Sequence, residues 1–201
     1  MLNFLKQTWN TKVFNRLLNL TLMAFISSFN NLLGAGFILL SISLLVFILS
    51  LIIPHRALLH FKNYTHKNSL PIAFLLSIAS IIGSLTYSEI IGLLPCELCF
   101  WQRIFLYPVA VITALALIYK KESLELWREI LALSIIGSLF SIYHILIQFG
   151  ETSFQCSINN TSNGCATIQT QIWGLITIPE MSLLLSVILI CLSALKLKTQ
   201  R

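Results

Sequence analysis

Between Leu17 and Ile53 the chain carries no Asp, Glu, Lys or Arg, and further apolar runs of comparable character recur toward the C-terminus. About twenty apolar residues are what a helix needs to cross roughly 30 Å of hydrocarbon. A transmembrane barrel would instead show alternating segments of about ten residues, a pattern this sequence lacks. Its 201 residues are 57% hydrophobic and only 10% charged, against about a quarter charged in an ordinary soluble domain. These runs specify an all-α integral membrane protein.

As a single helix, residues 17 to 53 would be about 55 Å long, too long for one crossing. Ser27-Ser28-Phe29-Asn30-Asn31 is the expected break, giving an interfacial segment near 17–29 and a span from about Leu32 to Ile53. A cleaved signal peptide is the rival reading, with a poorly formed small-residue site. Residues 55–68 read as a polar loop, in which His55, His60 and His66 are expected to be solvated. Pro71 can open the next helix, expected to run to about Leu94 and to stop at Pro95. Three more spans are expected near 100–119, 130–149 and 174–195, the last two joined by a polar loop over 150–172. The reading is a four-helix transmembrane bundle over residues 70–201, preceded by a 1–69 extension with one extra membrane segment.

The net charge of +6 is scattered in small groups beside the apolar runs rather than gathered in a basic stripe, which sets nucleic acid aside. The 54–70 loop, the 120–129 turn and the C-terminal tail each hold three Lys or Arg. The positive-inside rule assigns such loops to the cytoplasm. Alternation then puts Cys96–Cys99 and Cys156–Cys165 on the opposite face. The N-terminal tail carries Lys6, Lys12 and Arg16 and conflicts with five simple crossings. Either residues 17–53 form a re-entrant hairpin or the later loops override the tail.

Disulfides form and persist on an oxidising face. Cys156 and Cys165 could form a structural brace or a redox pair. For Cys96-Glu97-Leu98-Cys99 a brace is the weaker reading, because so small a ring does little to restrain the unfolded chain. Exposed or strained disulfides are the labile ones, and Cys-x-x-Cys spacing commonly lowers thiol pKa. A four-thiolate zinc site is the other meaning of this pattern. The second pair has the wrong spacing for a knuckle, however, and zinc gives no reason for the nearby Arg103, so no metal is assigned. Cys191, inside the last apolar run, reads as a small buried residue.

Glu89, Arg103, His144 and Glu180 each fall within roughly 10 Å of the same membrane face, counting 1.5 Å per residue. Ionisable groups in spans are expensive and commonly functional, although Arg and Glu near helix ends also snorkel. Snorkelling is the preferred reading of the two glutamates, and function that of Arg103. Two dithiols can exchange electrons and then need a sink soluble in the bilayer. A quinone fits, since a cation and a protonatable group near its oxygens would assist reduction.

Pro95-Cys96-Glu97-Leu98-Cys99-Phe100-Trp101-Gln102-Arg103 resembles the Cys-x-Leu-Cys-x-x-x-Arg signature of the DsbB disulfide bond formation family. Ser141-Ile142-Tyr143-His144, the Cys156…Cys165 pair and Gly174-Leu175-Ile176-Thr177-Ile178-Pro179 are most similar to its BdbC branch. The resemblance spans roughly residues 70–196. It implies a bacterial inner-membrane enzyme that reoxidises a DsbA-like thioredoxin-fold oxidase and passes electrons to ubiquinone or menaquinone, the route that keeps the periplasm oxidising. Carried over by position, Cys156 and Cys165 meet the partner, with Cys156 attacked first. Cys96 and Cys99 lie beside the quinone with Cys99 in contact, and Arg103 and His144 assist it. Gln102 stands where some members have an acidic residue. Vitamin K epoxide reductase-like proteins, the nearest rival, have the Cys-x-x-Cys after the loop cysteines rather than before them. A transporter or assembly factor with structural disulfides is the non-enzymatic alternative.

Overall fold

The structure, a computed structural model, describes residues 2–52, 56–150, 165, 168 and 170–199. It divides into two units, Met1–Gly36 and Phe37–Arg201. The described helices are α1 (Leu2–Ile52), α2 (Arg56–Lys67), α3 (Ser69–Leu85), α4 (Glu97–Ile118), α5 (Leu124–Gln148) and α6 (Ile178–Thr199). Five helical stretches are long and apolar enough to cross a membrane: Leu20–Ser50, Ser69–Ile90, Glu97–Ile118, Leu124–Gln148 and Ile178–Thr199. The all-α membrane class with an extra N-terminal apolar helix is therefore present.

Three expectations are corrected in the N-terminal half of the chain. The break at Ser27–Asn31 does not occur, and α1 passes through it as continuous helix. That segment contains neither Pro nor Gly, and Ser and Asn carry only a modest helix penalty that a long apolar helix absorbs. The polar loop over 55–68 is largely the helix α2, which packs on α3 and α6. Its His60 is exposed, but His66 is half-buried with Nε2 unpartnered; His55 lies outside the described residues. Burial, and next to it the Lys196 ammonium, hold the His66 imidazole below its ordinary pKa. The first core span also ends sooner than Leu94. After Leu85 the helix widens into a π turn, Thr86–Ile90. Gly92, at φ +79°, then turns the chain in a conformation that favours glycine, and residues 92–96 are non-helical.

Small residues let α5 and α6 approach closely, as is common between membrane helices. Ser134, Gly137, Ser138 and Ser141 are buried on α5, and Ser186 and Ser193 on α6. Ser141 and Ser182 hydroxyls meet at 3.0 Å. A Cβ on Gly137 would lie 3.6 Å from both Phe105 and Ser186. Ser138, Ser141 and Ser186 each donate to a carbonyl one turn back on their own helix, while the buried hydroxyls of Ser134 and Ser193 have no hydrogen-bond partner.

The larger core cluster includes Leu106, Val109, Trp127, Ile130 and Leu189. Beyond it, at the end where α4 finishes and α5 begins, Lys196 and Glu122 pair at 2.8 Å. The Trp127 indole donates to the same Glu122 oxygen at 2.8 Å, and the Lys196 ammonium sits 5.7 Å from the Trp127 ring.

At the opposite end a short antiparallel hairpin, β1 (Gln171–Ile172) with β2 (Ile176–Thr177), precedes α6. The start expected near Gly174 is thus displaced to Ile178, because Trp173 and Gly174 adopt positive φ in the hairpin turn. Glu180 then reaches back to accept the Thr177 N–H at 2.7 Å. This is the Glu half of a capping box, a structural role in place of the snorkelling read from its sequence position.

Candidate functional site

The Cys96–Cys99 pair is held by the way α4 begins. Cys96 occupies the N-cap with extended backbone (φ −73°, ψ 168°), and its carbonyl accepts the first helical bond from Phe100 N–H. Cys99 lies in the first turn, so the two-residue gap folds the thiols together, Sγ to Sγ 3.0 Å, both unbridged. The partial positive charge of a helix N-terminus favours a thiolate there. From α5, one turn inside its end, His144 brings Nε2 to 3.7 Å from Cys96 Sγ. Hydrogen bonding from Cys99 most of all, and then from His144, holds the Cys96 thiol well below the ordinary thiol range, against the opposing effect of burial.

Gln102, one turn along α4 from Cys99, is buried and places its amide nitrogen 3.4 Å from His144 Nδ1. Sequence reasoning gave this residue no role. The signal was its i+3 spacing from Cys99, which puts both on one helix face.

Arg103, one residue further, is half-buried and donates from Nη2 to the Ser84 carbonyl at 3.1 Å. Ser84 stands at the end of α3, just before the π turn. Such turns are frequent at functional sites, and here the turn coincides with the docking point of the arginine. The guanidinium also lies 5.6 Å from the Phe100 ring. Trp101, Phe105 and Phe140 stack alongside, with centroids 5.4 to 6.5 Å apart.

Cys165 is disulfide-bonded and fully buried in a small cluster with Leu98 and Ile147, against which Cys96, Phe140 and Tyr143 pack. Of the residues singled out in the sequence, Cys96, Cys99, Arg103, His144 and Cys165 therefore gather at one end of the bundle. Cys156 lies outside the described residues. Glu89 is exposed on the π turn, and Cys191 is a half-buried free thiol midway along α6. Among the described residues, Cys96, Cys99 and His144 form a trio whose ligand atoms lie within 4.8 Å of one another.

Such a site, a dithiol at a helix N-terminus with a histidine, a half-buried arginine and a neighbouring disulfide, is equipped for thiol–disulfide exchange. Comparison with known proteins agrees. Residues 66–196 match the family described as disulfide bond formation protein DsbB. The SPbeta prophage-derived disulfide bond formation protein B of Bacillus subtilis is 39% identical over 117 residues, 58% of this chain and 76% of the relative. A probable disulfide formation protein of Oceanobacillus iheyensis is 37% identical over 145 residues, 69% of this chain and 97% of the relative. The disulfide bond formation protein C of Bacillus subtilis is 30% identical over 120 residues, 59% and 84% of the respective chains. No solved structure matches the chain. The match extends from the end of α2 nearly to the end of α6 and contains every residue of the thiol cluster, and the chain belongs to the DsbB disulfide bond formation protein family.

Proposed function

We propose that this disulfide-forming membrane protein reoxidises a thioredoxin-fold thiol oxidase of the DsbA kind and passes the electrons to a membrane quinone, ubiquinone or menaquinone. The observation that carries this reading is the convergence of Cys96, Cys99, His144, Arg103 and the disulfide-bonded Cys165 at one end of an apolar bundle. Residues 70–201 form the catalytic domain and 1–69 an extension with the extra membrane segment. The basic residues of the 54–70, 120–129 and C-terminal segments support a cytoplasmic placement of the Lys196 end. The thiol cluster then faces the extracytoplasmic side of the bacterial inner membrane.

A thiolate of the reduced partner attacks Cys156 of the Cys156–Cys165 disulfide, forming a mixed disulfide and releasing Cys165 as thiolate. The partner's second thiolate then displaces Cys156, so the partner leaves oxidised and the loop pair is left as a dithiol. That dithiol reduces the Cys96–Cys99 disulfide by the same exchange. Packing of Cys165 and Cys96 in one cluster supports a direct hand-over.

The Cys96–Cys99 dithiol then gives up two electrons and two protons, and a quinone, when bound, is the group that accepts both. Arg103 fits a quinone oxygen. A guanidinium has five N–H donors, the Ser84 carbonyl occupies one, and the site lies among Phe100, Trp101 and other apolar groups open to lipid. Cys99, one turn above Arg103, is the thiol placed to react there, while the low-pKa Cys96 receives the loop thiol's electrons.

The test combines purified protein, a reduced thioredoxin-fold oxidase and ubiquinone, followed by quinone absorbance. Catalytic quinone consumption is expected. None with the wild-type chain would sink the proposal.

A further inference from the structure

His144 has a side-chain partner at each ring nitrogen. Nε2 faces Cys96 Sγ at 3.7 Å, while Nδ1 faces the Gln102 amide nitrogen at 3.4 Å. Both side chains are deeply buried, at 3% and 4% exposure. An amide nitrogen only donates, so in this orientation Nδ1 meets it with a lone pair, which for a neutral imidazole leaves the proton on Nε2. An imidazolium would turn a second N–H toward the amide NH₂.

We propose that Gln102 is a positioning residue that locks His144 in its Nε2–H form, making it a hydrogen-bond donor to Cys96 and withholding the lone pair that would complete a Cys–Cys–His metal site. Cys96, Cys99 and His144 bring three ligand atoms within 4.8 Å, the protein-ligand count of a zinc site with an open fourth position. Ligation through Nε2 needs the proton on Nδ1, held by a carboxylate or carbonyl acceptor. Gln102 presents the opposite polarity. One amide thus separates a thiol-exchange site from a metal trap built of the same side chains. It also denies His144 the role of base toward Cys96: the imidazole stabilises the thiolate by donation, and the thiol proton leaves by another route.

The inference rests on the proposed function only in treating Cys96 as a working thiol, and its tests use the reduced full chain in micelles with neither quinone nor partner. The first is ¹⁵N NMR of histidine-labelled protein, which has only four histidines, with His144 assigned by its loss in His144→Ala. The expected spectrum shows Nδ1 bare and Nε2 protonated; a protonated Nδ1 at His144 in the wild type overturns the proposal whatever Gln102→Glu does. The near-isosteric Gln102→Glu should move the proton to Nδ1, and an unchanged pattern there overturns it too. The second is a Co²⁺ titration read by sulfur-to-cobalt absorption. Gln102→Glu should bind Co²⁺ about 10–100-fold more tightly than wild type, the usual size of an outer-shell effect, and His144→Ala in that background should abolish the gain. Equal affinities would overturn the proposal, and a merely structural glutamine would move neither readout.

Discussion

Replacing His144 by Leu should raise the pKa of Cys96 by about one unit. The Nε2–H donor 3.7 Å from Cys96 Sγ is removed, while the Cys99 thiol at 3.0 Å and the N-terminus of α4 remain. A hydrogen bond to a charged group contributes about 1.5–3 kcal/mol. This one is long, so the lower figure applies, and at about 1.36 kcal/mol per pKa unit it corresponds to close to one unit. Peptide-resolved alkylation of the reduced protein across pH reads the change at Cys96 separately from Cys99 and Cys191. On the acid side, where the rate follows the thiolate fraction, the variant should react about tenfold more slowly. At alkaline pH, where the thiol is fully ionised in both, the curves should converge. A Cys96 profile unmoved by His144→Leu would refute the assignment of that histidine as a donor. The same depressed pKa carries a stability consequence. The folded reduced state binds fewer protons at Cys96 than the unfolded chain does. This contribution is complete above the ordinary thiol pKa and is lost as pH falls toward the depressed one. Reduced wild type should therefore lose more stability on acidification than reduced Cys96→Ala.

Arg103→Ala should raise the apparent KM for ubiquinone while leaving Cys96 alkylation unchanged; an unaltered KM would remove Arg103 from the quinone site. Glu122→Ala strands the buried Lys196 ammonium and the Trp127 indole N–H. Breaking a buried pair costs roughly 3–5 kcal/mol, which the 31% exposure of Glu122 reduces to about 2 kcal/mol, measurable as a lower unfolding midpoint by Trp fluorescence. Glu180→Ala should cost about 1 kcal/mol, the usual value of a helix cap, and should speed hydrogen exchange at the Thr177 amide in particular.

The core spans were legible because charge separates them: the charged residues between Lys120 and Glu129 interrupt two apolar runs, and α4 emerged within a few residues of expectation, although α5 begins at Leu124, inside the expected 120–129 turn. Cys96, Cys99 and Arg103 were legible as a group because they share one helix start, where spacing along the sequence is spacing in space. His144 could be placed by depth alone. What it touches could not, since Gln102 and Cys96 lie more than forty residues away on a different helix. The end of α3 was misjudged because nothing local stops a helix at Leu85. The π turn there accompanies the long-range bond from Arg103 to the Ser84 carbonyl. The helix α2 was hidden by its polar composition, and its burial of Thr65 and His66 Nε2 depends on packing against α3 and α6. In the 171–177 hairpin, two-residue strands are too short to show a period.

The central claim is that electrons leave the protein at Cys96–Cys99. A single-turnover measurement without any partner tests it most directly. The reduced full chain is mixed anaerobically with ubiquinone, and quinone loss is compared between wild type, a Cys156→Ser/Cys165→Ser variant and Cys99→Ser. The loop-pair variant should still reduce one quinone per protein, and Cys99→Ser none. Quinone reduction that survives Cys99→Ser, or that is lost with the loop pair alone, would contradict it.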